Sequence, residues 1–363
     1  MTHPQEVRAG DAHEARDAIT DVSGVRVGHA RVAGAGALSG TTVVLAPEGG
    51  VVAGVDVRGG GPGTRETDAL DPRNVVQRID AVVLTGGSAY GLDSAAGVMA
   101  WLEERHRGVR VGPDPAHVVP VVPAACVFDL GRGGDFSARP DAATGRAAVE
   151  AADASGDHAR VETGAVGAGT GAVVGGLRGG VGTASAVLES GITVGALVVV
   201  NAVGSAVDPA TGVPYGSWFE GGGAGAVVPA AAVHEAALRR LAEARAASAP
   251  PPLNTTLAVV ATDAVLTRAQ AQKVAGTAHD GIARAIRPVH LMNDGDTVFA
   301  LATGRRELPE EPGPLALNEI LAAGADLVTR AIVRALLAAP GGQRGPGGDF
   351  PSYGELYEGD ANR

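Results

Sequence analysis

A threonine at the mouth of an apolar run is the most reactive prospect in this sequence. Asn254-Thr255-Thr256 follows three prolines, Pro250 to Pro252, and opens a stretch dense in Val, Ala and Thr that runs to Asp263. Proline fixes φ and removes the backbone donor, so the Ala- and Arg-rich helical segment 228–248 must stop there and the chain becomes extended and exposed. The run that follows reads as a buried strand. Cutting the Asn254–Thr255 bond frees an α-amine directly beside the Thr255 hydroxyl. With a pKa of about 7.7–8.0, part of that amine is unprotonated near neutral pH. It can take the proton of its own Oγ, directly or through a water, which is the threonine/N-terminal-amine pairing of covalent catalysis. The competing reading is that Asn-Thr-Thr merely starts a strand.

Three polar side chains at the ends of other apolar runs are further candidates. Asn201 closes the run 192–200, and an amide in that position carries two donors that need partners. It either caps local backbone groups or faces a ligand. Asp294 and Asp296 flank Gly295 just ahead of the apolar run 298–303. They form an ordinary turn or a metal pair, but no third acid or histidine stands at ligand spacing, so no metal is called for. The loop 58–68, with four glycines, two arginines and two acids, is either solvated or a wall of a substrate site.

Other motifs exclude chemistry. Gly86-Gly87-Ser88-Ala89-Tyr90 misses the nucleophile-elbow pattern, because Tyr90 stands where glycine is needed. The glycine-rich segment 164–182 has no G-x-G-x-x-G in a strand–turn–helix setting, and its only charge is Arg178. The single lysine, Lys273, is outside any Walker-type loop, so no nucleotide cofactor is implied. One cysteine, Cys126, rules out an internal disulfide framework and a cysteine zinc site within one chain. A formal charge of −11 and few aromatics argue against nucleic acid. With no apolar run of membrane length and no signal pattern at the start, a cytoplasmic protein that does not engage a membrane is expected, with 1–16 as a loose tail.

The elements that must position these residues follow from patterning. Two short strands are expected within 19–29, and 41–47 with 51–57 reads as a hairpin. Further strands are expected at 81–84, 118–130 (interrupted by Pro120 and Pro123), 192–200 and 298–303. Helices are expected over 92–105, 140–154, 267–287 and 317–338, the third opening on a Thr267/Gln270 capping box.

Taken in order, the segments 19–29, 85–93, 167–184, 200–205, 254–264, 279–304 and 351–353 resemble the L-aminopeptidase/D-esterase (β-aminopeptidase) family, above all its nylon-oligomer hydrolase branch. The resemblance spans about 19–356. It implies an α/β protein, a four-layer α/β/β/α sandwich like that of N-terminal-nucleophile hydrolases with different strand connectivity. It implies a precursor that cuts itself into an α part, 17–254, and a β part, 255–363, of one domain, with Asn254–Thr255 as the cut and Thr255 as nucleophile. Asn201 becomes an oxyanion-hole donor, and Asp294 and Asp296 orient the Thr255 amine and hydroxyl. Arg178 stands where that branch uses a lysine. Arginine stays charged and cannot act as a base, which leaves it to bind substrate. Phe128 stands where part of the family has a tyrosine, and Tyr90 is the remaining candidate for substrate contact. The implied activity is hydrolysis of small amides or peptides: D-, L- or β-amino-acid amides, or ω-amino-acid oligomers. The implied assembly is a homo-oligomer of αβ units, commonly a tetramer. Acyl transfer to an amine, as in ornithine acetyltransferase-like proteins, and a non-catalytic scaffold or binding protein are the alternatives.

Overall fold

Every residue of the strand Leu257–Ala264 is buried, which explains why its sequence shows no polar alternation. Side chains alternate between the two faces of a sheet, and a sheet covered on both faces reads as a continuous apolar run. Ala258 and Val260 join the apolar cluster formed with the helices Arg268–Ala285 and Leu317–Leu337. Leu257, Val259 and Ala261 join a second cluster, against Val44, Val82 and Leu84 of another sheet. The computed structural model describes residues 16–220, 227–248 and 253–357.

The sheet containing this strand has the order Gly180–Val187, Thr193–Val200, Leu257–Ala264, Thr297–Arg306, Val52–Val57. Its central pair, Leu257–Ala264 with Thr297–Arg306, is parallel, and the other pairings are antiparallel. A parallel pair needs a crossover connection, and Arg268–Ala285 supplies it, opening on the expected capping box of Thr267 and Gln270. The second sheet has the order Arg26–Arg31, Gly40–Leu45, Ala81–Thr85, Ala124–Cys126, Thr64–Arg65. The helices Ser94–Glu103 and Ala142–Ser155 cover its outer face through Trp101, Leu102, Ala148 and Val149. The layers are therefore helix, sheet, sheet, helix, the expected α/β/β/α sandwich.

Two local expectations are corrected. Gly40–Leu45 and Val52–Val57 are not a hairpin, because they belong to different sheets. Pro47 has no N–H to offer a ladder, and Gly49 and Gly50, at φ of +84° and +69°, turn the chain from one sheet towards the other. Ile19–Asp21 is a short 3-10 turn rather than a strand; the Ile19 N–H donates to Thr183 Oγ1, and the Asp21 carboxylate accepts the N–H groups of Arg16 and Ala18. The helix expected at 228–248 runs Ala231–Ala246. The triproline segment after it, and the expected tail up to residue 15, lie outside the described residues.

Candidate active site

The parallel register of the central strands brings Thr255 to the aspartates. Leu257 pairs with Thr297, and an isolated parallel bridge extends the pairing upstream to Asn254 and Asp294. The ladder crosses the Asn254–Thr255 bond. Asn254 N–H donates to Asn293 O at 3.0 Å, Gly295 N–H to Asn254 O at 3.1 Å, and Thr297 N–H to Thr256 O at 3.1 Å. On the other side the antiparallel strand Thr193–Val200 ends at Asn201, whose backbone carbonyl accepts the Thr255 N–H at 2.7 Å. Thr255 is 4 % exposed, and its hydroxyl donates to the Asn254 carbonyl oxygen at 2.5 Å. The hydroxyl thus lies against the carbonyl group of the peptide bond that precedes it.

Both carboxylates are buried and their oxygens are engaged differently. Asp296 Oδ1 accepts the Thr256 N–H at 2.7 Å, while Oδ2 meets the His290 ring Nδ1 at 2.8 Å and accepts its backbone N–H at 3.2 Å. Asp294 has longer partners, the N–H groups of Val203 at 3.4 Å and Leu291 at 3.3 Å. Burial, then the Asp296 charge, pushes the Asp294 carboxyl above its ordinary value. A carboxylate raised in this way is a better proton acceptor than an ordinary aspartate.

The glycine-rich loop 58–63 packs its backbone onto this turn. Arg58 N–H donates to Asp296 O and Gly61 N–H to Asp294 O, at 3.0 and 2.8 Å. A side chain at Gly59 would start 2.3 Å from Asp294 O, and one at Gly295 would start 2.7 Å from Thr255 Oγ1. Glycine is required at both positions because the backbones approach so closely.

The Asn201 side chain is clamped on its oxygen side. Its Oδ1 accepts from Arg132 Nη1 at 2.5 Å and from Val173 N–H at 3.1 Å, and its Nδ2 lies 3.4 Å from the Phe128 carbonyl oxygen. Arg132 also donates to Gly171 O and, through Nη2, to Asn254 Oδ1, each at 2.7 Å. Burial pulls its pKa down to about 10, and burial raises neighbouring Asp129 to about 6. Arg178, by contrast, donates to Gln343 Oε1 and Thr170 O. Tyr90 is 56 % exposed beneath the Arg139 guanidinium. Among the described residues no hydrogen bond links Arg178 or Tyr90 to Thr255, Asn201, Asp294 or Asp296.

Three participants escaped the sequence reading. Arg132 sits between Gly131 and Gly133, and the isolated charge in a glycine setting that drew attention to Arg178 was equally present there. His290 lies four residues ahead of Asp294 and has no local signature. Gly295 acts through its backbone N–H, which residue type does not disclose.

Comparison with known proteins identifies the family of the chain. A family model described as peptidase family S58 matches residues 17–345. An uncharacterised aminopeptidase of Mycobacterium bovis is 48 % identical over 357 residues, covering 94 % of this chain and 98 % of its own. A 6-aminohexanoate-oligomer endohydrolase of Kocuria sp. is 32 % identical over 285 residues, 76 % of this chain and 72 % of its own. Among solved structures, a Burkholderia sp. beta-aminopeptidase superposes with a TM-score of 0.68 at 26 % identity, over 93 % of this chain and 91 % of the other. An Ochrobactrum anthropi L-aminopeptidase D-Ala-esterase/amidase, described as a variant of the Ntn hydrolase fold, superposes at 0.69 and 24 % identity, over 93 % and 91 %, and speaks for the fold. By sequence over nearly its whole length and by fold, the chain belongs to peptidase family S58, the L-aminopeptidase/D-esterase family.

Proposed function

We propose that this peptide and amide hydrolase cuts its own Asn254–Thr255 bond and then works through an acyl-enzyme on Thr255. The observation that carries the proposal is the Thr255 hydroxyl at 2.5 Å from the Asn254 carbonyl oxygen, which also receives the Gly295 N–H at 3.1 Å. In the first phase Oγ attacks the Asn254 carbonyl carbon while its proton passes to one of the two carboxylates, Asp294 or Asp296. The Gly295 N–H stabilises the oxyanion. The C–N bond breaks, the Thr255 nitrogen takes a proton, and an ester joins Asn254 to Oγ. Water hydrolyses the ester, leaving a carboxylate on Asn254 and a free amine on Thr255.

In the second phase that amine, held by the Asn201 backbone carbonyl, takes the Oγ proton. Oγ attacks the substrate amide, the leaving amine is protonated, and water releases the acid from the ester. Asn201 Nδ2 serves as an oxyanion donor, a role worth roughly 3–4 kcal/mol where single donors have been removed in other enzymes. The substrates are small amides and peptides: D-, L- or β-amino-acid amides, or ω-amino-acid oligomers. The names of the beta-aminopeptidase and oligomer-hydrolase relatives support that class. The resemblance extends the proposal to a homo-oligomer of αβ units, a tetramer, and the sequence reading extends it to a cytoplasmic location.

An intact mass of the purified protein tests the cut. Pieces of about 25 and 11 kDa are expected, the 254/363 and 109/363 shares of 35.9 kDa. Thr255→Ala should remain one inactive chain. A fully active preparation that runs as one chain sinks the proposal.

A further inference from the structure

Self-cleavage and hydrolysis use one hydroxyl, and the Gly295 N–H that faces the Asn254 carbonyl oxygen at 3.1 Å stays in place after the cut, so the acyl part of a substrate takes the space that Asn254 fills in the uncut chain. The contacts of Asn254 are therefore a template for the substrate, and they are specific. Asn254 is 1 % exposed. Its carboxamide oxygen accepts from Arg132 Nη2 at 2.7 Å, and its backbone N–H donates to Asn293 O at 3.0 Å. Beside it opens a cavity of about 390 Å³ lined by Val173, Ala202, Val203 and Phe350, with Asn254 in its wall. Arg132 cannot follow a departing Asn254, because its other nitrogen is tied to Asn201 Oδ1 and Gly171 O. Once the cut chain end withdraws, Nη2 is left as a buried, charged donor without its side-chain acceptor, which is costly unless a new acceptor arrives.

We propose that Arg132 is the specificity-determining residue for the acyl side of the substrate. It selects amides whose acyl group carries a carboxamide or carboxylate oxygen at the distance of the asparagine side chain. A free amine on the same acyl group replaces the Asn254 N–H and donates to the Asn293 carbonyl. The preferred substrates are thus asparaginyl- or aspartyl-like amides, and an apolar acyl group of the same shape is disfavoured because it leaves the guanidinium unpaired. This rests on the proposed self-processing Thr255 enzyme and narrows its substrate class.

The test uses the mature protein and a pair of near-isosteric chromogenic amides, the p-nitroanilides of asparagine and leucine. A kcat/KM at least about 10-fold higher for the asparagine compound is expected; equal or better turnover of the leucine compound overturns the proposal. A second readout needs no added substrate. Asn254→Leu, which leaves Nη2 unpaired, should lower the melting temperature and slow self-cleavage about 10-fold or more under conditions where the chain stays folded, while Asn254→Asp, which keeps an acceptor for Arg132, should cut within a few-fold of wild type. Equal cutting by Asn254→Leu and wild type overturns it as well. A wild-type chain that neither cuts itself nor hydrolyses any amide brings down the Thr255 mechanism and this inference together. A chain that cuts and hydrolyses without acceptor preference brings down this inference alone.

Discussion

Arg132 and Arg178 are each 5 % exposed and each sits in a glycine-rich segment, yet they serve different regions. The Arg132 loop reaches the ends of the central strands, where the guanidinium ties Asn201 to Asn254 beside the Asn254–Thr255 bond. Arg178 closes a small hairpin with Val173–Val174 and ties it to the C-terminal segment through Gln343, with its own N–H on Pro351 O. Their electrostatic settings differ too. Burial and the like charge of Arg178 lower the Arg132 pKa and Asp129 offsets part of that, whereas burial and the like charge of Arg31 both lower that of Arg178. A buried charge in a glycine setting is thus a sign of close packing, and only its distance from the reacting bond makes it part of the chemistry.

The largest effect should come from Arg132→Met. Removing the guanidinium leaves the Asn201 and Asn254 side-chain oxygens short of a buried donor, so self-cleavage should slow by about 10²-fold or more, as for loss of one oxyanion-hole donor. Folding stability should also fall by about 3 kcal/mol. A time course on a denaturing gel, with urea unfolding alongside, reads both. Cutting within a few-fold of wild type breaks the contrast with Arg178.

Asp129 sharpens the same contrast through pH. Its folded pKa, about 6, lies above the ordinary 3.8, so the folded chain holds this proton more tightly than the unfolded one. The stability that follows is fully present below about pH 4 and is lost as pH rises through about 6, up to about 3 kcal/mol from this group. Asp129→Asn should remove most of that decline between pH 4 and 7.5 in urea unfolding. An unchanged slope shows that other groups carry it.

Arg178→Met should lower stability by about 1–3 kcal/mol through the loss of its bonds to Gln343 and Thr170, while kcat stays within a few-fold. A 10²-fold fall in kcat at wild-type stability would restore Arg178 to the site. Smallest of all, Gln343→Ala should cost about 1 kcal/mol and leave activity untouched.

The fold was legible where burial is symmetrical. The runs at 192–200, 257–264 and 298–303 are mostly apolar because helices cover one face and another sheet the other, and each forms most of a strand. The segments 41–47 and 51–57 misled because strand partnership is long-range: Val52–Val57 pairs with residues more than 200 positions away. At the site, patterning marked strand ends at Asn201, Thr255 and Asp294–Asp296. That these ends adjoin depends on the order of strands in the sheet, which local patterning does not encode. Arg132 and the Gly295 N–H enter from a loop and from backbone, where residue type says least.

The strand order has a consequence for reversibility. Leu257–Ala264 and Thr297–Arg306 lie side by side in mid-sheet, with Thr193–Val200 on one flank and Val52–Val57 on the other. Cutting before Thr255 therefore divides the covalent chain and leaves the ladder whole, so the pieces stay together for as long as the sheet does. Unfolding removes that bond of association. An intact chain refolds as one molecule, at a rate independent of dilution, whereas cut pieces must find each other, and their recovery depends on concentration. The proposed cut would make the folded state a product of history: a diluted, denatured sample of the processed form should regain far less activity than the same mass of uncut chain.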